Sequence, residues 1–226
     1  MFPLFKQPED EWLEQANKVR LATVELKGAV TLVIKTTRFG LLGKREVTRL
    51  AGGIPAKLDS GQTVLIVPSN ILSDFASETP AAKSVSVDGF SNDSFDKSLY
   101  EGLVQLAETN RGVGYHIALL PVEPSAGLPW QELGGFGKSQ PMIAVRRPVG
   151  APNGSFLHRR INWATLVNDG VDVWRATSFD GDRDLWNGSP IQSAESGEIV
   201  GMMVSDQNSC QFVSMAVLFY LTDQPE

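Results

Sequence analysis

The chain of 226 residues contains one cysteine, Cys210, and two histidines, His116 and His158. A single cysteine cannot form an internal disulfide, which excludes the small secreted domains that depend on such bonds. Cys210 borders an apolar run and lies far from both histidines in the sequence, so we interpret it as a buried structural thiol. Because no second His or Cys lies at ligand spacing, we expect neither a metal site nor a cofactor.

Long apolar runs are also absent. The longest, residues 212–221, has about half of the roughly 20 residues that a membrane-spanning helix needs. The first residues, MFPLFKQPEDEW, lack the basic segment and the long apolar segment of a secretory signal. We therefore expect no membrane span and a cytoplasmic location.

An excess of positive charge is lacking as well, since 20 Lys and Arg stand against 26 Asp and Glu and the net charge is −6. With this net charge, the surface as a whole should attract neither nucleic acid nor anionic lipid, and we expect no nucleic-acid partner. The basic clusters at 146–147 and 158–160 are short, and we interpret them as a solvated rim. Hydrophobic residues make up 42% of the chain, which is enough to bury a sizeable core.

What the sequence does contain is a series of short segments rich in Val, Ile and Thr, separated by Gly, Pro, Asn and Asp. Such a pattern predicts antiparallel barrels or sandwiches. The segments are 19–26, 29–36, 63–69, 84–90, 116–123, 141–147, 171–179 and 197–205.

Helical spacing is confined to a few places. Residues 12–19 predict a short N-terminal helix, and residues 211–224 predict a closing helix, with Phe212, Met215 and Phe219 on one face. Residues 98–108, SLYEGLVQLAE, fit either a helix or a further strand.

Four segments, taken in order, resemble the trypsin-like serine proteases of the bacterial HtrA/Deg type. Residues 59–72 resemble the turn and strand before the catalytic histidine, and residues 114–123 resemble the strand that opens with the catalytic aspartate. Residues 128–154 resemble the inter-barrel segment, and residues 171–205, which contain WNGSP, resemble the nucleophile hairpin. The resemblance implies a double antiparallel β-barrel.

The catalytic positions that the resemblance implies hold other residues in this chain. The histidine position falls on Asn70, the aspartate position on His116 and the serine position on Asn187. An amide neither takes a proton from a hydroxyl at neutral pH nor acts as an activated nucleophile. We therefore expect a protein that is not an enzyme, a pseudoprotease without the Ser-His-Asp triad.

The former nucleophile loop is altered around Asn187 as well. Leu185 stands where the family usually has Gly, and we expect it to distort the oxyanion hole. Trp186 lies on the predicted turn, so we expect it to be exposed and, with Leu185 and Ser189, to form a binding surface. We interpret Ser189 as the small residue that precedes Pro190.

The predicted fold is all-β, a double antiparallel β-barrel of trypsin type with short helices at both ends. Its parts are a helix over 1–18, a first barrel over 19–122, a link over 123–136, a second barrel over 137–212 and a helix over 213–226. The predicted function is to bind a protein or peptide partner, as a scaffold or regulator, in the groove between the barrels. Two alternatives are an active hydrolase, with His116 acting on Ser69, Ser189 or another hydroxyl, and a β-barrel for a small ligand.

Overall fold

In a computed structural model the chain forms two antiparallel β-sheets, with helices between and after their strands. The described residues are 30–40, 43–76, 81–90, 92–135, 142–151, 156–161, 166–170, 172–176, 186–205 and 210–222.

The first sheet has six strands in the order β4-β1-β2-β3-β6-β5. Its strands are β1 (Val30–Gly40), β2 (Gly43–Lys57), β3 (Thr63–Pro68), β4 (Ala82–Val87), β5 (Val113–Gly114) and β6 (Ile117–Pro121). All six residues of β3, TVLIVP, are buried, as expected for an apolar run without alternation. A 3-10 helix, Ser69–Asp74, follows β3 directly.

The segment whose sequence fits either a helix or a strand belongs to helix α1, Asp93–Thr109. The Asn92 side chain accepts a hydrogen bond from the Phe95 N–H at 3.1 Å and caps the start of the helix. The buried leucines of α1 pack on the core of the first sheet: Leu99, Leu103 and Leu106. Asn110 ends the helix in the left-handed conformation, with φ of 52°.

The second sheet has seven strands in the order β8-β7-β11-β12-β13-β10-β9. Its strands are β7 (Met142–Arg146), β8 (Leu157–Ile161), β9 (Leu166–Gly170), β10 (Val173–Ala176), β11 (Pro190–Ser193), β12 (Ile199–Ser205) and β13 (Cys210–Ser214). A short helix, α2, covers Val217–Thr222.

One apolar cluster belongs to both sheets. Ile54 and Ile66 of the first sheet are fully buried in the same cluster as Ile199, Met202 and Val213 of the second. Burying a side chain of this size contributes about 1.5–3 kcal/mol. The shared cluster therefore holds the two sheets against each other.

The predicted all-β class with two antiparallel sheets is confirmed. The predicted closing helix is present but begins later, at Val217, because Cys210–Ser214 pairs with β12 as a strand. The predicted helix over 1–18 lies outside the described residues. Cys210 is buried, with 1% of its surface exposed.

Candidate functional site

Asn70 is the second residue of the 3-10 helix, and two neighbours in that helix determine where it lies. Ile71 and Leu72 are buried in the core of the first sheet. They anchor the helix, so that Asn70, which is half-buried, lies at the junction with the second sheet.

Asn187 lies on the turn that leads into β11 and is 3% exposed. Its Nδ2 donates to Asn70 Oδ1 at 3.0 Å, and Asn70 Nδ2 lies 3.4 Å from Asn187 Oδ1. These two residues are 117 positions apart in the sequence. A reciprocal pair of amides thus links the two sheets at the positions that the resemblance assigns to the base and the nucleophile.

Ser205, the last residue of β12, completes this pair through its backbone. Its N–H donates to Asn187 Oδ1 at 3.0 Å, and its carbonyl oxygen accepts a hydrogen bond from Asn70 Nδ2. The Ser205 hydroxyl is buried and has no hydrogen-bond partner among the described residues. Sequence reasoning missed Ser205, because its role depends on where β12 ends rather than on its residue type.

A close approach of two glycines brings the strand β2 to the same turn. The Gly52 N–H donates to the Asn187 carbonyl oxygen at 2.7 Å. A Cβ on Gly52 would lie 2.1 Å from the Gly188 carbonyl oxygen, so this contact requires glycine. The pair Gly52-Gly53 inside a strand pattern is the signal that predicts such a contact.

Two backbone N–H groups of this turn donate hydrogen bonds within the protein. The Gly188 N–H donates to the Met203 carbonyl oxygen at 2.7 Å, and the Ser189 N–H donates to the Trp186 carbonyl oxygen at 3.0 Å. These two donors therefore cannot bind an oxyanion in this arrangement. Leu185, which we expect to distort the oxyanion hole, lies outside the described residues.

His116 does not join the two asparagines through its side chain. It is exposed, has a φ of 66° and accepts a hydrogen bond from the Ser69 N–H on its carbonyl oxygen at 2.9 Å. Among the described residues its ring has no hydrogen-bond partner. The structure thus brings together Asn70 and Asn187, with the backbone of His116 beside them.

The expectation that Trp186 is exposed is wrong. Trp186 is 9% exposed and belongs to a core cluster of the second sheet that includes Trp174, Met203 and Phe212. Its large apolar ring gains more from that cluster than from the turn surface, which the sequence pattern does not reveal. Ser189 is 2% exposed, so its surface also faces inward.

The edge of β2 beside this junction is open. Gly52 pairs with Thr31 of β1, and its N–H points away from β1 towards Asn187. In an antiparallel ladder this orientation repeats at every second residue, so the N–H and carbonyl groups of Glu46, Thr48 and Leu50 also point away from β1. In the described chain, β3 pairs with β2 only over 54–57, which leaves 46–50 without a neighbouring strand.

A second polar contact joins the sheets on the far side of β1. The Thr31 hydroxyl donates to the Arg147 carbonyl oxygen at 3.0 Å, and the Arg147 guanidinium lies 4.0 Å from the Asp88 carboxylate. Asp88 also accepts a hydrogen bond from the Gly150 N–H at 3.0 Å. Polar contacts on both sides of β1 therefore hold the two sheets together at the candidate site.

Neither a metal cluster nor a spanning helix is found in the described residues. No group of three or more His, Cys, Asp and Glu side chains is placed to hold a metal ion within those ranges. No helix in the same ranges is long and apolar enough to cross a membrane.

Among known proteins, no family model and no curated protein matches the chain. The solved structure of Deg5 is similar, with a TM-score of 0.51 at 12% identity, over 96% of this chain and 94% of that one. The fold is that of the trypsin-like proteases.

Two viral structures are similar at a lower TM-score. The tobacco vein mottling virus protease has a TM-score of 0.48 at 12% identity, over 90% of this chain and 85% of that one. A catalytically inactive tobacco etch virus protease complexed with substrate has a TM-score of 0.46 at 11% identity, over 89% of this chain and 84% of that one.

Our expectation that the chain is not an enzyme is corrected. The fold is that of the trypsin-like proteases, and the expectation rested only on the residue types at Asn70, His116 and Asn187. Those residue types exclude a Ser-His-Asp triad at these positions, but they do not show that a chain of the trypsin-like fold lacks activity.

Proposed function

We propose that the protein binds an extended polypeptide segment along the open edge of β2, beside the junction of the two sheets. The observation that carries this proposal is the run of outward N–H and carbonyl groups at Glu46, Thr48 and Leu50. An extended peptide adds to such an edge as a further strand, and its main chain supplies the hydrogen bonds.

The position of the edge supports the same function. It runs directly into Gly52, whose N–H contacts Asn187, so a peptide paired with residues 46–50 would end at the asparagine pair. Residues 46 and 48 are exposed and Leu50 is half-buried, which leaves the backbone groups accessible. Unpaired strand edges bind other chains readily, and a bound peptide would satisfy this one.

The trypsin-like fold supports a polypeptide ligand, because proteases of that fold act on polypeptides. The groove between the sheets begins at the same place. A narrow cavity there is lined by Leu50, Ala51, Gly52, Ser189 and Pro190, among others. Its small size favours recognition through the peptide backbone over deep side-chain pockets.

Selection of phage-displayed random peptides, followed by fluorescence anisotropy with a selected peptide, tests this proposal. In Leu50→Pro the outward N–H is lost and the ring occupies the edge, while the hydrogen bonds between β2 and β1 are kept. We expect peptide binding to weaken about tenfold or more. Leu50→Ala is the matched control, because it shortens the side chain and keeps the N–H.

Amide chemical shifts provide the second readout. Peptide binding should shift the amide resonances of residues 46–50 more than those of strand β4, which lies on the other side of β1. Equal binding by Leu50→Pro and the wild type, with shifts elsewhere, would show that the β2 edge is not the binding site.

A hydrolase is the second candidate, and a specific contact favours it. The Ser69 N–H donates to the His116 carbonyl oxygen, so a hydroxyl and an imidazole lie on adjoining segments. Ser69 is half-buried and His116 is exposed, whereas Ser189 is 2% exposed and less accessible to a substrate. Labelling of Ser69 by a fluorophosphonate probe, abolished in His116→Ala, would establish this activity, and an unlabelled chain would exclude it.

A further inference from the structure

The outer end of the β1–β2 hairpin extends beyond the rest of its sheet. The last residue of β1 that pairs with β4 is Thr36, and the Thr37 N–H makes one more hydrogen bond, to Ala81. Beyond that point β1 and β2 pair only with each other among the described residues. We call residues 38–40 and 43–45 the hairpin tip.

The hairpin tip exposes an aromatic side chain. Phe39 is 78% exposed, more than any other large hydrophobic residue in the described part of the chain. Lys44 lies directly opposite Phe39 in the ladder, with its Nζ 5.4 Å from the ring centroid. An aromatic ring at this exposure costs free energy in water and favours a partner.

The hairpin tip is also basic. It contains Arg38, Lys44 and Arg45 and no acidic residue, a charge of +3 in a chain whose net charge is −6. Arg38 and Arg45 lie directly opposite each other, and both are exposed. Like charges in this arrangement destabilise a strand pair, and neither guanidinium has an ion-pair partner among the described residues.

From these observations we propose that the hairpin tip binds the surface of an anionic lipid bilayer. Phe39 enters the interfacial region, while Arg38, Lys44 and Arg45 contact the headgroup phosphates. Three residues of a strand span about 10 Å, which matches the ~5–10 Å to which interfacial segments enter the boundary of headgroups and acyl chains. The anionic headgroups relieve the repulsion between the two arginines.

The shape of the hairpin tip favours a bilayer over a macromolecular partner. A ribbon of two strands, with three residues of each, is too small for the roughly 800 Å² that each partner buries in a stable protein complex. Single-stranded nucleic acid binds in grooves where several aromatic side chains stack on successive bases, and residues 38–40 and 43–45 contain one aromatic residue, Phe39. The rest of the chain carries the negative charge, so an anionic surface attracts the molecule by this end only.

This proposal is independent of peptide binding, because the hairpin tip lies outside residues 46–50. Co-sedimentation with vesicles of phosphatidylcholine, with and without phosphatidylserine, tests it. We expect binding to the anionic vesicles only, reduced about tenfold by Phe39→Ser and by Arg38→Glu. Binding should also fall as the salt concentration rises.

Matched variants control for the loss of any exposed apolar or basic side chain. Leu157→Ser removes a side chain of a residue that is 51% exposed on β8, and Arg111→Glu reverses an exposed charge near the end of α1. Both should bind anionic vesicles as the wild type does. A loss in these variants equal to that in Phe39→Ser would overturn the assignment to the hairpin tip.

The depth of insertion is measurable with one fluorophore. Cys210 is 1% exposed, so Phe39→Cys provides a single accessible thiol for an environment-sensitive label. We expect a blue-shifted emission on addition of anionic vesicles, and no shift for a label at Leu157→Cys. An unshifted label at position 39 would show that this residue does not enter the bilayer.

Three further outcomes contradict the proposal. Equal binding to neutral and anionic vesicles would remove the role of the basic residues. Self-association that Phe39→Ser abolishes, without vesicle binding, would assign the hairpin tip to a second copy of the chain. Binding of single-stranded DNA, lost in Arg38→Glu and without vesicle binding, would assign it to nucleic acid.

Discussion

The sheet junction and the hairpin tip place their side chains in opposite environments. At the junction, the side-chain amides of Asn70 and Asn187 are inside the molecule and bond to each other and to Ser205. At the hairpin tip, Arg38 and Phe39 face solvent. Among the described residues Arg38 has no ion-pair partner, and the Phe39 ring has the Lys44 Nζ at 5.4 Å from its centroid. Polar groups that find partners within the chain hold the structure together, whereas those that find none are available for binding.

The glycine contact at the junction should give the largest effect on stability. In Gly52→Ala the new Cβ would lie 2.1 Å from the Gly188 carbonyl oxygen, so the turn must move. We expect a loss of about 3 kcal/mol in the free energy of unfolding, measured in urea. Gly135→Ala is the control, since its Cβ meets nothing within 4 Å. Equal losses of stability in Gly52→Ala and Gly135→Ala would mean that the turn moves without a cost in free energy.

The asparagine pair should give the next largest effect. Asn70→Ala leaves the Asn187 Nδ2 and the Ser205 carbonyl oxygen without their partner at a buried site. We expect a loss of about 1–3 kcal/mol, against less than about 0.5 kcal/mol for the exposed Thr109→Ala. A double mutant with Asn187→Ala should be less destabilised than the sum of the single variants. Additive losses would show that the two amides act separately.

Asp96 lies outside both regions and has features of each. It is partly buried, and its Oδ1 has no hydrogen-bond partner among the described residues. Burial, and then the neighbouring Asp93 carboxylate, raise the pKa of Asp96. A carboxyl pKa that is higher in the folded state than in the unfolded state gives stability at low pH, which is lost as pH rises through the folded pKa. In Asp96→Asn, the free energy of unfolding measured in urea should no longer fall for this reason as the pH rises across the acidic range. In Asp59→Asn, at an exposed site, the fall should be the same as in the wild type.

The smallest effect on stability should come from the hairpin tip. Phe39→Ser and Arg38→Glu remove groups that contact little else in the described chain, so we expect changes within about 0.5 kcal/mol. Arg38→Glu should be neutral or slightly stabilising, because it replaces a repulsive pair with an attractive one opposite Arg45. A thermal melt of each variant checks this expectation. A large loss of stability would show that the hairpin tip contributes to holding the fold together, as the junction does.

The fold class follows from local patterns that the sequence displays openly. The apolar run of β3 and the runs that form β6 and β12 are bounded by turn residues, and each becomes a strand. The resemblance to the trypsin-like proteases assigns Asn70 and Asn187 to the candidate site, and the structure places Asn70 just after β3 and Asn187 just before β11.

Other features depend on contacts between distant segments. Phe212 has helical spacing with Met215, yet pairing with β12 makes its segment a strand, because a ladder of hydrogen bonds outweighs a weak local preference. Trp186 lies on a turn, yet it is buried in a cluster with Phe212. Local spacing reveals neither contact, because Phe212 pairs with Met203 of the preceding strand and Trp186 packs with residues of several strands.

Local sequence patterns account for the β-sheet class, the buried Cys210 and the residue types at the site, where amides exclude a Ser-His-Asp triad. Tertiary contacts determine that Asn70 and Asn187 bond to each other and to the Ser205 backbone, and that the ring of His116 stays outside this pair. The same contacts determine which strand edges are covered and which are open. Periodicity and turn chemistry act over a few residues, whereas burial and pairing join residues such as Asn70 and Ser205, which are 135 positions apart.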